Sequence, residues 1–148
     1  MLYRLRQRSS DEGGFTLIEL LVVILIIGIL AAIAIPAFLS QTGKASDSAA
    51  KTQVGTMQTT IETYANENNG DFTKATLAEL QKIEPTLKDT STAVAKPLAG
   101  LSTSSFEVES EAVGTKDTYK LKSSNGEVTR TCTTPSGTTG GGCKAGSW

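Results

Sequence analysis

The feature that most constrains this chain is an apolar run near its N-terminus. Residues 20–39, LLVVILIIGILAAIAIPAFL, carry no charge. Twenty helical residues at about 1.5 Å each span about 30 Å, which is the thickness of the hydrocarbon core of a bilayer. Arg4, Arg6 and Arg8 precede the run, so the positive-inside tendency predicts a cytoplasmic N-terminus and an exported C-terminal part.

The composition of the whole chain hides this division. The 148 residues are 39% apolar, but 21 of the 25 residues at positions 15–39 belong to the apolar set. The rest of the chain is leaner than a typical globular domain, which argues against one compact water-soluble fold. A net charge of −1 gives no global field for nucleic acid or anionic membrane. The absence of histidine excludes a His-based catalytic triad and the commonest zinc sites.

Two interpretations of the N-terminal segment compete. A secretory signal peptide could be cut after Ala34, at the small-residue site Ala32-Ile33-Ala34, and the mature protein would then be soluble and start at Ile35. A retained membrane helix is the other interpretation. Glu19 favours the helix, because a carboxylate at the edge of an apolar run has a desolvation cost and a discarded signal has no use for it.

The hexapeptide at positions 14–19, GFTLIE, stands between the charged leader and the apolar run. It resembles the processing site of type IV pilins and of the related pseudopilins of type II secretion, and the likeness continues through about 25 residues. The resemblance implies that a prepilin peptidase cuts between Gly14 and Phe15 and that the new N-terminal Phe15 is N-methylated. It also implies a non-enzymatic subunit of a homo-oligomeric helical filament, assembled by an ATPase and a platform protein for adhesion, motility or DNA uptake. No cofactor is expected.

Glu19 is the predicted assembly residue. After cleavage, Phe15 carries an α-amino group that stays able to be cationic when methylated. Helices stacked with an axial offset can bring Glu19 of one subunit to the Phe15 amine of its neighbour. Such a pair adds little net stability but can set the register, because a wrong offset leaves a buried charge unpaired. The family uses this glutamate in assembly, and Pro36 is the expected point of helix flexibility.

The remaining sequence predicts an α+β fold. The long helix continues with a narrow apolar stripe and ends at Asn68-Asn69-Gly70, and a small antiparallel sheet packs on its second half. A second, short helix is capped by Thr76. We therefore expect a removed leader (1–14), a membrane and filament-core helix (15–39), an amphipathic helical half (40–69) and a head (70–148). Residues 86–104 are expected to form an irregular loop. The stripe consists of Ala50, Val54, Met57, Ile61 and Tyr64.

Asn125-Gly126 is a strong signal for a two-residue hairpin turn. The turn fixes the register of the two strands around it. It pairs Ser123 with Val128, Leu121 with Arg130, and Tyr119 with Cys132. The buried face is then predicted to contain Tyr119, Leu121, Val128 and Cys132, with Arg130 reaching its rim.

Cys132 and Cys143 are the only cysteines. Two thiols are too few for a structural zinc site, and a disulfide is expected if this end reaches an oxidising compartment. The pattern resembles the C-terminal disulfide loop of many type IV pilins and departs from the usual major pseudopilin, which binds calcium instead. Glu107, Glu109 and Glu111 alternate along one strand, so they are expected to form a solvated face and no metal site.

Two alternatives to a pilus subunit stay open. One is the major pseudopilin of a type II secretion or competence system. The other is a minor tip pilin that acts as an adhesin or DNA-binding module through Lys120, Lys122 and Arg130. Acidic neighbours offset these cations and no aromatic ladder accompanies them, so nucleic acid is not the expected partner.

Overall fold

The computed structural model of this chain describes residues 14–135, 142–143 and 146–148. The leader arginines, on which the predicted orientation in the membrane depends, lie outside the described residues. The chain divides into two compact units, Met1–Phe38 and Leu39–Trp148. The helices are α1 (Leu17–Glu67), α2 (Leu77–Ile83) and a 3-10 helix (Pro85–Lys88). The strands are β1 (Ala93–Ala95), β2 (Ser105–Ala112), β3 (Thr118–Ser124) and β4 (Glu127–Thr133).

In the first unit, α1 presents its apolar side chains to the surroundings. The large apolar residues at positions 20–39 are between 45% and 71% exposed. The helix is long and apolar enough to cross a membrane by length and composition. Pro36 lies inside α1, which continues through it as one helix.

The end of α1 agrees with the predicted stop signal. Asn69 and Gly70 both adopt left-handed backbone conformations, with φ of 58° and 83°. The Gly70 amide donates to the Ala65 carbonyl at 2.7 Å, which satisfies one of the carbonyls that a helix end leaves free. A glycine in this position avoids the steric cost that a side chain would bring.

The second unit contains a four-stranded antiparallel sheet in the order β1-β2-β3-β4. The predicted hairpin register is confirmed, with Tyr119 opposite Cys132 and Leu121 opposite Arg130. Asn125 and Gly126 take the positive φ values, 52° and 83°, that the two-residue turn requires. The α+β fold with a long helix and a small sheet is therefore confirmed.

The core of the second unit lies between the stripe of α1 and the inner face of the sheet. Ala50, Val54, Met57 and Ile61 of the stripe are fully buried, and Tyr64 is partly buried against them. Burial alternates strictly along β2, as expected for a strand with one face on a core. The strand residues in this core are Ala93, Ala95, Phe106, Val108, Ala112, Tyr119, Leu121 and Cys132.

The predicted burial of Val128 is wrong. Val128 is 36% exposed, and along β4 only Cys132 is buried. β4 is an edge strand, so a core-facing position in it is covered only where another segment reaches it. The disulfide partner Cys143 covers Cys132. Arg130 is exposed as predicted, and its guanidinium lies 5.6 Å from the centroid of the Trp148 ring.

The prediction of an irregular loop over residues 86–104 is wrong in part. The 3-10 helix begins at Pro85, where the Glu84 side chain accepts from the Thr86 amide, and β1 pairs with β2 through Ala93 opposite Ala112. Three residues are too few to show alternation in a sequence. Their two alanines also lack the β-branched character typical of strands.

We predict that Val108→Ala lowers the free energy of unfolding by about 2 kcal/mol, because Val108 is fully buried between sheet and helix. Val128→Ala is the matched control in the same sheet. It is expected to cost less than about 0.5 kcal/mol, because Val128 is already exposed. Denaturant unfolding of the full chain in detergent, followed by Trp148 fluorescence, measures both. Equal losses for the two variants would contradict the assignment of the core.

Candidate processing and assembly site

The predicted cleavage junction lies just outside the regular structure. Residues 14–16 precede α1, which begins at Leu17. Phe15 is 92% exposed, and a side chain added at Gly14 would meet nothing within 4 Å. An extended, accessible segment of this kind suits cleavage, because a peptidase must reach the backbone. Cleavage after Gly14 and methylation of Phe15 remain predictions.

Glu19 lies in the first turn of α1 and forms a capping box with Thr16. The Glu19 carboxylate accepts hydrogen bonds at Oε2 from the Thr16 amide (2.9 Å) and the Thr16 hydroxyl (2.7 Å). In return, the Glu19 amide donates to the Thr16 hydroxyl at 3.2 Å. This reciprocal arrangement satisfies amide groups that a helix N-terminus leaves free.

This cap was not predicted, although its signal is present in the sequence. Thr16 and Glu19 have the same three-residue spacing as Thr76 and Glu79, for which the cap was predicted. There the prediction of a cap is confirmed, because the Thr76 hydroxyl accepts from the Glu79 amide at 3.2 Å. Glu19 therefore caps the start of α1, in addition to the charge pairing that was expected of it.

The cap also orients the Glu19 carboxylate. Both hydrogen bonds from Thr16 go to Oε2. Among the described contacts, Oε1 accepts no hydrogen bond, and Glu19 lies in an exposed stretch of chain. The cap thus holds the side chain at the helix start, with one oxygen available to a further donor.

Lysines on the outer face of the sheet contact the alternating carboxylates of β2. Lys120 Nζ lies 2.9 Å from Glu107 and 3.3 Å from Glu109. Lys96 Nζ lies 2.6 Å from Glu111, and Lys116 lies 3.5 Å from the same carboxylate. The three glutamates therefore contact lysines along the strand, as cross-strand opposite charges do.

These contacts change the pKa values of the groups involved. The hydrogen bond to Glu107, and after it the one to Glu109, raises the pKa of Lys120 against the opposing effect of burial. The hydrogen bond from Lys96 lowers the pKa of Glu111 below its ordinary value of 4.5. Lys120 is thus a partnered cation, which weakens the alternative of a basic DNA-binding surface built on it.

A disulfide joins Cys132 of β4 to Cys143, with their Cα atoms 5.6 Å apart. Both sulfur-bearing residues are buried. Lys51 of α1 donates to the Gly142 carbonyl at 3.0 Å. The Cys132 amide donates to the Gly146 carbonyl at 2.9 Å. Cys143 and Gly146 are therefore tied to the edge strand, and Gly142 is tied to the helix.

Trp148 adds an aromatic contact to this region. Its ring packs edge-on against Tyr119, with centroids 5.8 Å apart, and its Nε1 donates to the Thr131 carbonyl at 2.9 Å. A partly buried aromatic ring stabilises the fold through the apolar area that it buries, and a hydrogen bond from its N–H fixes its orientation. This makes Trp148, the only tryptophan of the chain, a reporter of the disulfide region.

Comparison with known proteins places the N-terminal segment in a defined class. A family model described as the prokaryotic N-terminal methylation motif matches residues 9–35. The match includes the predicted cleavage junction, Glu19 and most of the apolar run. No solved structure matches the chain significantly.

Relatives extend the likeness beyond this motif. The type IV major fimbrial protein FimA of Dichelobacter nodosus is 49% identical over 55 residues, which is 37% of this chain and 35% of the relative. The type IV major pilin protein PilA of Myxococcus xanthus is 46% identical over 66 residues, 45% of this chain and 30% of the relative. This chain thus spans about a third of the length of these two relatives.

A fimbrial protein of Neisseria meningitidis serogroup B aligns more widely. It is 35% identical over 130 residues, which cover 86% of this chain and 76% of the relative. The fold and the N-terminal segment define a structural protein with a long apolar N-terminal helix, and the relatives are fimbrial proteins and not enzymes. The chain belongs to the type IV pilin family.

We predict that replacing both cysteines, Cys132→Ser with Cys143→Ser, lowers the free energy of unfolding by about 3 kcal/mol, because the crosslink restricts the unfolded chain. Trp148 fluorescence during denaturant unfolding of the full chain measures the loss. The wild-type protein treated with a reductant is the matched control and should behave like the double variant. An unchanged free energy of unfolding in both would contradict a stabilising role for the disulfide.

Proposed function

We propose that this chain is the structural subunit of a type IV pilus. The observation that carries the proposal is the capped Glu19 at the start of a helix whose apolar side chains are exposed along its first part. The pilus would serve adhesion, motility or DNA uptake. The chain itself would be the substrate of processing enzymes.

The exposed apolar surface of α1 supports assembly. An uncovered apolar surface of this size is not stable in water, so it requires lipid or other apolar surfaces. The same helix can be covered by lipid before assembly and by other subunits after it. In the inner or cytoplasmic membrane it would be a single span with its N-terminus in the cytoplasm. In the extracellular filament, its neighbours would be the helices of other subunits.

The Glu19 carboxylate supports a specific register in that filament. Cleavage after Gly14 creates a cationic amine on Phe15, four residues before Glu19. The carboxylate already accepts from Thr16 through Oε2, and Oε1 can accept from the Phe15 amine of a neighbouring subunit. A charge left without its partner in an apolar bundle costs several kcal/mol, so the pair selects one offset between helices.

The processing steps require enzymes outside this chain. A prepilin peptidase would cut after Gly14 and methylate Phe15, and an assembly ATPase with a platform protein would drive extraction from the membrane. Pro36 lacks an amide hydrogen, so the turn before it has one hydrogen bond fewer. We propose that this turn is the point at which the helix adapts to the filament.

The disulfide favours a pilus over a secretion pseudopilus. Cys132 and Cys143 close a loop at the edge of the head, as in many type IV pilins. The usual major pseudopilin lacks this crosslink and binds calcium instead. The β2 glutamates that could be considered for calcium contact lysines.

Two variants of Glu19 test the charge pair against the cap. Glu19→Gln keeps a side chain that can form a capping box but removes the charge. We expect Glu19→Gln and Glu19→Ala both to be cleaved normally and to give at least about tenfold fewer filaments, because each leaves the Phe15 amine unpaired. Electron microscopy of sheared filaments and immunoblots of processed subunit measure the two effects.

Thr16→Ala is the matched control for this test. It removes the cap hydroxyl and keeps the carboxylate, so assembly should fall much less than in Glu19→Gln. Normal filament numbers in Glu19→Gln together with a loss in Glu19→Ala would contradict the charge pair and assign Glu19 to capping alone.

A further inference from the structure

The loop between β2 and β3, residues 113–117, packs on α1 through polar contacts. Ser46 and Asp47 of α1 are buried there. The Ser46 hydroxyl donates to the Thr92 carbonyl at 2.8 Å and accepts from the Gly114 amide at 2.9 Å. A Cβ at Gly114 would lie only 3.2 Å from Ser46 Cβ, so the glycine permits the close approach. The loop is thus held to the helix by hydrogen bonds at a tightly packed contact.

Two carboxylates are buried at this contact. Asp47 is 1% exposed and Asp117 is 3% exposed. Asp47 Oδ1 accepts a hydrogen bond from the Thr115 hydroxyl, and the Asp117 amide donates to the same hydroxyl oxygen at 3.3 Å. Thr115 therefore contacts both residues and brings them into one cluster.

Among the residues that the structure describes, three polar atoms of this cluster are buried without a hydrogen-bond partner. They are Asp47 Oδ2, Asp117 Oδ2 and the hydroxyl of Tyr119, whose side chain is fully buried. An unpartnered buried polar atom costs free energy, and two ionised carboxylates without a counter-charge cost much more. With both carboxylates ionised, the charges and hydrogen-bonding atoms of this cluster are therefore not balanced by the described residues.

The nearby lysines that the structure describes do not neutralise the cluster. Lys51, one turn after Asp47 on α1, donates to the Gly142 carbonyl, and its Nζ lies 5.1 Å from the centroid of the Tyr119 ring. Among the described residues it makes no ion pair with either aspartate. Lys116, in the loop itself, lies 3.5 Å from Glu111 on the outer face of the sheet.

We propose that Asp47 and Asp117 share one proton in the folded protein, and that this proton fastens the β2–β3 loop to α1. A proton on Asp117 Oδ2 turns that atom into a donor to Asp47 Oδ2. The Tyr119 hydroxyl carries its own proton, so it can donate to a nearby carboxylate in either protonation state of the pair. One added proton therefore pairs the two unpartnered carboxylate oxygens with each other and removes one of the two buried charges.

The electrostatics of the cluster agree with this assignment. Burial, and after it the negative charge of Asp47, raises the pKa of Asp117 above its ordinary value of 3.8. Burial and the two carboxylates also raise the pKa of Tyr119, so its hydroxyl keeps its proton and remains a donor. A bound divalent cation is the competing way to neutralise the pair. Calcium takes six to eight oxygen ligands, whereas the described residues offer three buried side-chain oxygens without a partner here.

The shared proton makes the loop contact sensitive to pH. A group whose pKa is raised by folding contributes stability below its unfolded pKa, and this contribution is lost as the pH rises through its folded pKa. When Asp117 ionises, two negative charges face each other inside the head. The β2–β3 loop then separates from Ser46 and Asp47, so the head loosens at this end as the pH rises.

Asp117→Asn tests the proposal, because asparagine imitates the protonated acid at every pH. The full chain in detergent is melted at a series of pH values from about 4 to about 8 and followed by Trp148 fluorescence. We expect the variant and the wild type to melt together near pH 4. Near pH 8 the variant should melt at least about 4 °C higher. The difference between the two curves cancels the titration of groups that they share.

Asp71→Asn is the matched control. The Asp71 carboxylate accepts from the Thr73 amide and hydroxyl at 2.8 and 2.9 Å, and these bonds lower its pKa. Its stabilising effect is present above its unfolded pKa and is lost on acidification. This variant should therefore melt below the wild type near pH 8 and together with it in acid, which is the opposite pattern.

Two further measurements keep the test decisive if Asp117→Asn folds poorly. Hydrogen exchange of the Gly114 amide in the wild-type protein should lose protection with rising pH beyond the change in its intrinsic rate. Asp47→Asn should remove that loss, because it leaves only one carboxylate. Melting without a pH-dependent difference, or calcium raising the Tm of the wild type but not of Asp117→Asn, would overturn the shared proton.

Discussion

The large apolar side chains at positions 20–39 are about half or more exposed along the first part of α1, and something other than this chain must cover them. Lipid can do so before assembly and other helices afterwards. A surface that fits both cannot also carry specific polar contacts along its length. The polar specificity is therefore concentrated at the helix start, where Glu19 accepts hydrogen bonds from Thr16.

The second unit has few apolar residues with which to form a core. The α1 stripe meets one face of the sheet, and burial ends at the edge strand, where Val128 is exposed. The disulfide joins Cys143 to Cys132 of that strand, and Trp148 packs against Tyr119. The crosslink is expected to stabilise the head by restricting the unfolded chain, which adds to the small amount of apolar packing at this edge.

The features that were predicted correctly are those with a signal in a few neighbouring residues of the sequence. Asn125-Gly126 determined the hairpin register, because few residues tolerate the positive φ values of a two-residue turn. The exposure of Val128 and the burial of Asp117 depend instead on which other segment covers each position. The short strand β1 carries too few residues to show a period. The cap between Thr16 and Glu19 was readable from spacing, but the charge of Glu19 drew attention to a partner in another subunit.

We propose that the apolar helix is retained in the mature protein and begins at a processed, charged end. Mass spectrometry of the N-terminal peptide from the mature chain tests it most directly. The account predicts a chain that starts at Phe15 and carries one added methyl group on its α-amine, with the apolar helix intact behind it. A mature chain that starts at Ile35 would contradict the account, because both Glu19 and most of the apolar run would then be lost.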